Sequence, residues 1–297
     1  PNALLVNFDA TRFYLTPSGQ GVRLYFDPDM NLFQINNQVR LTSGPCKDFE
    51  DGIHIKVNQT GSRVKARLMG RYPAQCKERS LNYRLLGNTA YVGALFQSLW
   101  HELGGTFSGG VKRGRVEPGD TKLLDWKSRP LASMIRDMNK FSNNVMARIL
   151  FLDLSDKTPA TLEASRQVVE QILAESGLHF PELIIENGSG LSRRAQINVQ
   201  HLGQLLNVAW HSPFMPEFVA SLPVLGQDGT LRKRLRHGPV AGRAHIKTGT
   251  LDNSDAIAGY LDDAYQQNWI VVCIVENTPE MKAKRIEDTL LMWLYRH

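Results

Sequence analysis

The sequence predicts an α+β protein with a β-rich first part, and three observations predict it. Up to about residue 80, short stretches alternate apolar and polar side chains between polar turns. The middle of the chain repeats apolar residues at helical spacing, and three strand candidates then follow one another closely near the end. Consecutive strands with short connections pair antiparallel, and helices packed on such a sheet define the α+β class.

Taken in order, residues 22–26, 53–57 and 64–68 read as strands, with Gln59-Thr-Gly-Ser62 as the turn joining the last two. Asn88-Thr89 reads as the cap of a helix with Val92, Leu95, Phe96, Leu99 and Leu103 on its inner stripe, stopped by Gly104-Gly105. From Ser128 onward helices dominate. Leu131, Met134, Ile135 and Met138 mark one helix and Val145, Met146, Ile149 and Leu150 the next, with Ser142-Asn-Asn144 between them. Thr158-Pro159 opens a third, with Leu162, Val169, Ile172 and Leu173 facing inward as far as Gly177, and Asn198 caps a fourth through Leu202, Leu205 and Leu206. Strands at 244–250, 256–261 and 269–276 and a closing helix at 286–294 complete the chain.

At 297 residues, with 42% hydrophobic and 22% charged side chains, the chain has the composition of an ordinary folded protein and the length for more than one domain. Its longest apolar run, residues 269–275, is too short to cross a bilayer and reads as a buried strand. Residues 1–10 show neither an initiator methionine nor a secretion leader, so the chain reads as processed or partial. The net charge of +6 permits contact with anionic polymers without identifying one. The densest basic run, residues 232–237, has no interleaved aromatics and reads as a solvated loop, not as a nucleic-acid site.

Cys46 and Cys76 flank a hairpin-like segment, and Cys273 sits within an apolar strand. A 46–76 disulfide with one inert buried thiol fits an oxidising compartment; on count alone, three reduced thiols in a cytosolic protein fit equally well. The sequence has no CxxC pair, HExxH motif or histidine cluster, so no metal or other cofactor is read from it.

Two motifs carry chemistry together: Ser142-Asn-Asn144 at the mouth of a helix and His245-Ile-Lys-Thr-Gly249 on a strand. Either alone could be a helix cap or an edge-strand charge. Jointly they match two of the three motifs of penicillin-interacting serine enzymes. Four ordered blocks extend the match. They are residues 130–147, containing Ser142-Asn-Asn144; Glu186-Asn-Gly-Ser-Gly-Leu-Ser-Arg193; Leu222-Pro-Val-Leu-Gly-Gln-Asp-Gly-Thr-Leu231; and His245-Ile-Lys-Thr-Gly-Thr-Leu251. In these the chain resembles the D-alanyl-D-alanine carboxypeptidase/endopeptidase family, the class C low-molecular-mass penicillin-binding proteins of peptidase S13 type. Tyr91-Val-Gly-Ala-Leu95 and the Cys46 and Cys76 region extend the resemblance more faintly.

The resemblance implies a penicillin-binding, β-lactamase-like transpeptidase domain with β-rich inserted domains. Residues 1–127 would be the latter part of the insertion and 128–297 the C-terminal part of the peptidase domain. It implies a serine peptidase of the periplasm or another extracytoplasmic space. Its partners would be peptidoglycan stem peptides ending in D-Ala-D-Ala, and β-lactam antibiotics. Ser142 would relay a proton between the nucleophile's lysine and the leaving nitrogen, and Asn144 would donate to the substrate's peptide carbonyl. Ser142 and Lys247 would supply the last stages of the proton path, and Lys247 with the hydroxyls of Thr248 and Thr250 would hold the terminal carboxylate or its β-lactam equivalent. Gly249 would leave room for substrate, and the Thr250 N–H would form half of the oxyanion hole. Asp228-Gly-Thr230 reads as a tight turn without a catalytic role.

One part of the family pattern is missing. The only Ser-x-x-Lys match is Ser62-Arg-Val-Lys65, in a turn running into a strand, where residues three apart point to opposite faces. The expectation is therefore that the nucleophile lies outside these 297 residues. Two other readings use the same motifs: a β-lactamase on the same scaffold, and a non-catalytic protein that binds cell-wall peptides.

Overall fold

The computed structural model describes residues 2, 4–19, 21–30, 32–47, 49–60 and 63–297. They form two compact units, Asn2–Leu123 and Leu124–His297.

The first unit holds β1 (Thr11–Ser18), β2 (Gly21–Asp27), β3 (Phe33–Thr42), β4 (Ile53–Thr60), β5 (Arg63–Pro73), β6 (Arg79–Tyr83) and the helix α1 (Asn88–Glu102). One sheet runs β2–β1–β6 and the other β3–β5–β4, with β3 parallel to β5. Alternation interrupted only at Met69-Gly70 builds the central strand of the second sheet: Val64, Ala66, Leu68 and Tyr72 of β5 are buried, while Arg63, Lys65, Arg67 and Arg71 are exposed. Phe13, Leu15, Leu68, Tyr72 and Tyr91 fill the core between the elements. The strand β3 escapes sequence reading because Asn36, Asn37 and Gln38 are poor strand formers. Asn37 earns its place by donating to the Val22 carbonyl at 2.7 Å.

The helix α1 is where expected, but its inner face is not. Phe96 and Leu99 are half exposed and Leu103 is 83% exposed, while Tyr91, Ala94 and Ser98 are buried. Polar anchors decide this: the Tyr91 hydroxyl donates to the Ala10 carbonyl at 2.8 Å and Ser98 to that of Asp29 at 3.1 Å. Gly87 occupies the N-cap position, and Asn88 instead binds the Asp9 carboxylate and the Leu4 carbonyl.

Cys46 and Cys76 are joined in a disulfide across 30 residues. Closing a loop of that length restricts the unfolded chain, so reduction should destabilise the first unit by about 2–4 kcal/mol. A non-reducing peptide map should show one Cys46–Cys76 linked species; two free thiols in the native protein would contradict this pairing.

The second unit holds α2 (Leu131–Lys140), α3 (Asn144–Asp153), α4 (Leu162–Glu175), α5 (Val199–Trp210), α6 (Met215–Ser221), β7 (Ala244–Leu251), β8 (Ser254–Asp262), β9 (Asn268–Glu276) and α7 (Glu280–Arg296). The last three strands form an antiparallel sheet in the order β7–β8–β9, as the short polar turns predict. Ile246, Ile257, Leu261, Val271 and Leu291 pack between this sheet and α7, and a second cluster of Leu206, Leu222 and Tyr260 gathers Trp210 and Phe218. Asn198 caps α5 as expected, accepting from the His201 N–H. The helix α4 differs from expectation: its cap is Thr161, Ala164 and Ser165 are its buried residues, and Leu162 and Ile172 are exposed. Cys273 is half-buried rather than fully enclosed, and burial followed by the nearby Glu287 carboxylate pushes its thiol pKa up.

Candidate active site

The end of α2 delivers Ser142. The Ser142 N–H bonds the Asn139 carbonyl and the Asn143 N–H bonds that of Met138 at 2.9 Å, the paired closure of a Schellman turn. That closure puts Ser142 at the left-handed position, φ +50°, where glycine is the usual residue. Asn143, not Ser142, caps the following helix: its side chain accepts from the Val145 and Met146 N–H groups. The Ser142 side chain is thus spare for another use. Its Oγ accepts from Lys247 Nζ at 2.5 Å, and the same ammonium reaches the Thr248 carbonyl at 2.9 Å. Burial lowers the Lys247 pKa below the usual lysine value.

A second lysine holds this geometry and was not singled out from sequence. Lys140, only 5% exposed, donates to the Leu222 carbonyl at 2.6 Å and pairs with Asp228 Oδ2 at 2.7 Å. Asp228 Oδ1 in turn accepts from the Val224 N–H at 2.7 Å. The neighbouring Asn139 amide donates to Ser221 Oγ at 2.8 Å. Residues 223–225 then bond along the first half of β7, through Ile246 N–H to Pro223 and Leu225 N–H to Ala244. So α2, the 221–228 segment and β7 are tied in series, and the Ser142 to Lys247 contact spans the two ends of that tie. The Asp228 turn is a structural device, and Gly229 is needed in it: a Cβ there would lie 2.5 Å from the Lys140 carbonyl oxygen.

The second half of β7, Lys247 to Leu251, pairs with β8 and lies beyond the stretch bonded to residues 223–225. It borders a cavity of about 690 Å³ whose lining includes Ser142, Asn144, Lys247, Thr248, Gly249 and Thr250. All six catalytic and substrate-binding candidates from sequence therefore share one cavity. A Cβ built on Gly249 would meet nothing within 4 Å, so packing within the described residues does not demand a glycine there. Thr250 Oγ1 is engaged differently from expectation. It donates to Oδ1 of Asp255, a buried residue of β8, at 2.9 Å, leaving its hydroxyl with lone pairs only for the cavity.

The loop after Glu186 also reaches the site, through Ser189, Gly190 and Leu191. It is internally braced: Glu186 accepts from Ser192 and Arg194, and Asn187 Oδ1 accepts from the Ser189 N–H at 3.0 Å. Those bonds to Ser192 and Arg194 hold the Glu186 carboxyl below the usual range. Gly188 has φ +72°, and a Cβ there would lie 2.3 Å from Phe151. Leu202, Leu205, Leu206, Ala209 and Phe218 give the cavity an apolar wall.

Chemically, a hydroxyl that accepts from an ammonium keeps its own proton for a third group. The Ser142 hydroxyl, accepting from Lys247, can therefore donate to a group placed in the cavity. Ser62 lies outside the described residues; Lys65 sits on β5 opposite Gln34 and Asn58, on a strand and not a helix. Among the described residues, no three His, Cys, Asp or Glu side chains converge as a metal site would require.

The geometry can be set beside known proteins. The chain is 33% identical over 183 residues to a D-alanyl-D-alanine carboxypeptidase of Actinomadura sp. strain R39, a match covering 58% of this chain and 34% of that protein. It is 27% identical over 195 residues to the D-alanyl-D-alanine carboxypeptidase DacB of Haemophilus influenzae, covering 64% of this chain and 41% of the relative. These matches thus span between a third and about two fifths of the relatives' lengths. The crystal structure of penicillin binding protein 4 (dacB) from Haemophilus influenzae shares the fold with a TM-score of 0.71 at 22% identity, over 98% of this chain and 67% of that one. The same protein complexed with a β-lactam gives a TM-score of 0.74, over 100% and 70%. The family model for D-Ala-D-Ala carboxypeptidase 3 (S13) matches residues 1–297, and the chain belongs to that family.

Proposed function

We propose that this chain supplies the proton relay and anion clamp of a serine-type D-alanyl-D-alanine carboxypeptidase/endopeptidase that works through an acyl-enzyme and is inhibited by β-lactams. The nucleophilic Ser-x-x-Lys is contributed by sequence other than these 297 residues. In this reading 128–297 is the C-terminal part of the peptidase domain, and 1–127 the latter part of its β-rich insertion. The work is done in an extracytoplasmic space, where the Cys46–Cys76 disulfide is stable.

The observation that carries the reading is the Lys247 ammonium on the Ser142 hydroxyl at 2.5 Å, at the cavity bordered by the second half of β7. An extended peptide laid along Lys247 to Leu251 adds its backbone to the sheet edge, and Gly249 offers no side chain against that approach. The nucleophile's oxygen bonds the carbonyl carbon of the penultimate D-Ala while its proton passes to the lysine of its own Ser-x-x-Lys; the scissile C–N bond breaks, and the leaving amine takes the Ser142 proton. The nucleophile's lysine returns its proton to Ser142, and Lys247 stays charged, steadies the Ser142 oxygen and, with Thr248, faces the substrate's terminal carboxylate. Asn144 donates to the substrate's peptide carbonyl, and the Thr250 N–H faces the developing oxyanion. Because the Thr250 hydroxyl is held by Asp255, the backbone of Thr250 is the part that contributes.

Labelling with a fluorescent penicillin tests this on two samples, the 297-residue chain and the natural full-length product. We expect covalent label only on the longer product, mapped to a serine outside residues 1–297. Label on Ser62 would overturn the placement of the nucleophile, and an unlabelled full-length product would leave a protein that binds cell-wall peptides without cleaving them.

A further inference from the structure

The charge of this chain is not spread evenly. Residues 2–123 carry 16 Lys and Arg against 10 Asp and Glu, whereas 124–297 carry 19 of each, so the whole +6 belongs to the β-rich unit. Within that unit the excess has a definite address. The strands β3, β4 and β5 contain no Asp or Glu at all, and Arg40, Lys56, Arg63, Lys65, Arg67 and Arg71 are all exposed on them.

Register and alternation place these cations on one face. Lys65 stands between Gln34 and Asn58, Arg67 between Asn36 and Lys56, and Arg71 beside Arg40. The opposite face is the core, where Val64, Ala66 and Leu68 are buried. A groove of about 480 Å³ runs over the outer face, lined by Gln34, Asn36, Lys56, Asn58, Lys65 and Arg67 among others. Among the described residues none of the six cations has a carboxylate partner, although Arg84, in the same unit, is paired with Asp9.

Like charges set side by side on a sheet repel, so leaving them without acids costs stability unless an external anion offsets it. We propose that this face binds an extended anionic glycan, a polysaccharide bearing carboxylate or phosphate groups. The amides decide between classes of polyanion. Gln34, Asn36 and Asn58 alternate with the cations, and each side-chain amide both donates to and accepts from sugar hydroxyls. Among the described residues the face carries no Phe, Tyr or Trp on which single-stranded nucleic acid stacks, and its one large apolar side chain, the half-buried Met69, is too little to insert into a membrane interface. The proposal does not depend on the peptidase reading of the other unit.

The test uses the whole 297-residue chain and polygalacturonate as the carboxylate glycan, with neutral dextran, oligo-dT and phosphatidylglycerol vesicles as comparisons. Binding to polygalacturonate should weaken with added salt, and K56Q/K65Q/R67Q should lower affinity roughly tenfold, the scale of three exposed ion contacts. The matched variant R232Q/K233Q/R236Q removes three exposed charges from the second unit and should change it little. Should the first triple variant fail to fold, Lys65→Gln and Arg67→Gln singly must each weaken binding more than Lys233→Gln does. Equal losses in the two sets, no binding at low salt, or tighter binding to oligo-dT or to vesicles would each overturn the proposal.

Discussion

Ser142→Gly is expected to slow acylation of the complete protein by benzylpenicillin by about 10²–10⁴-fold while leaving the fold as stable as before or slightly more so. The kinetic loss is that of a positioned proton-transfer group. Stability behaves oppositely because Ser142 occupies the left-handed position of the Schellman turn, φ +50°, where a side chain costs roughly 1 kcal/mol and glycine costs none. Ser142→Ala separates the two effects: it loses the hydroxyl, keeps the strain, and should be about 1 kcal/mol less stable than the glycine variant. Stopped-flow acylation of the complete protein and thermal unfolding of both variants would measure this. Full-rate acylation by Ser142→Gly would remove the relay role, and equal stability of the two variants would remove the strain argument.

Asp228→Ala should destabilise the second unit by about 2–3 kcal/mol and disturb the site without touching it. Breaking a buried ion pair typically costs about 3–5 kcal/mol, because the remaining charge keeps its desolvation penalty. Lys140 is only 5% exposed, but the Asp228 side chain is 39% exposed, so solvent screening brings the figure down. The pH dependence follows from the same contact. Burial raises the Asp228 pKa, but hydrogen bonds from Lys140 and the Val224 N–H, with the Lys140 and Arg136 charges, outweigh it and the net shift is downward. A carboxylate with a lowered folded pKa stabilises above its unfolded value, about 4, and that contribution disappears as the pH falls through the lower folded value. The stability gap between wild type and Asp228→Ala should therefore be constant from neutral pH down to roughly 5 and close below about 4. A gap unchanged in acid would show that Asp228 acts through packing alone. Because Lys140 and Asp228 tie the end of α2 to the segment bonded on β7, the variant should also slow acylation.

The α+β class, the antiparallel β7–β8–β9 sheet and the two motifs were legible in the residues alone, for reasons of local physics. Period-two alternation, short turns and a Ser-x-Asn with a Lys-Thr-Gly each need only a few neighbouring residues to be recognised. The cap at Asn198 was legible for the same reason, since it acts on an N–H three residues away. Elements whose stability comes from elsewhere in the chain were not. The amide-rich β3 is a strand because β5 pairs with it in parallel, and α1 turns Phe96 and Leu99 outward because Tyr91 and Ser98 find carbonyls at Ala10 and Asp29.

At the site, sequence by itself singled out Ser142, Asn144, Lys247 and the threonines after it, the residues that line one cavity in the folded chain. Tertiary structure decided how they are held and which of their atoms are free. It gave the capping task to Asn143 and so released Ser142, and it committed the Thr250 hydroxyl to Asp255. It also enlisted Lys140, whose role depends on Leu222 and Asp228 more than eighty residues away. A hydrogen bond acts over about 3 Å of space whatever the sequence separation, so local pattern reveals the residue type and only the folded chain reveals the partner.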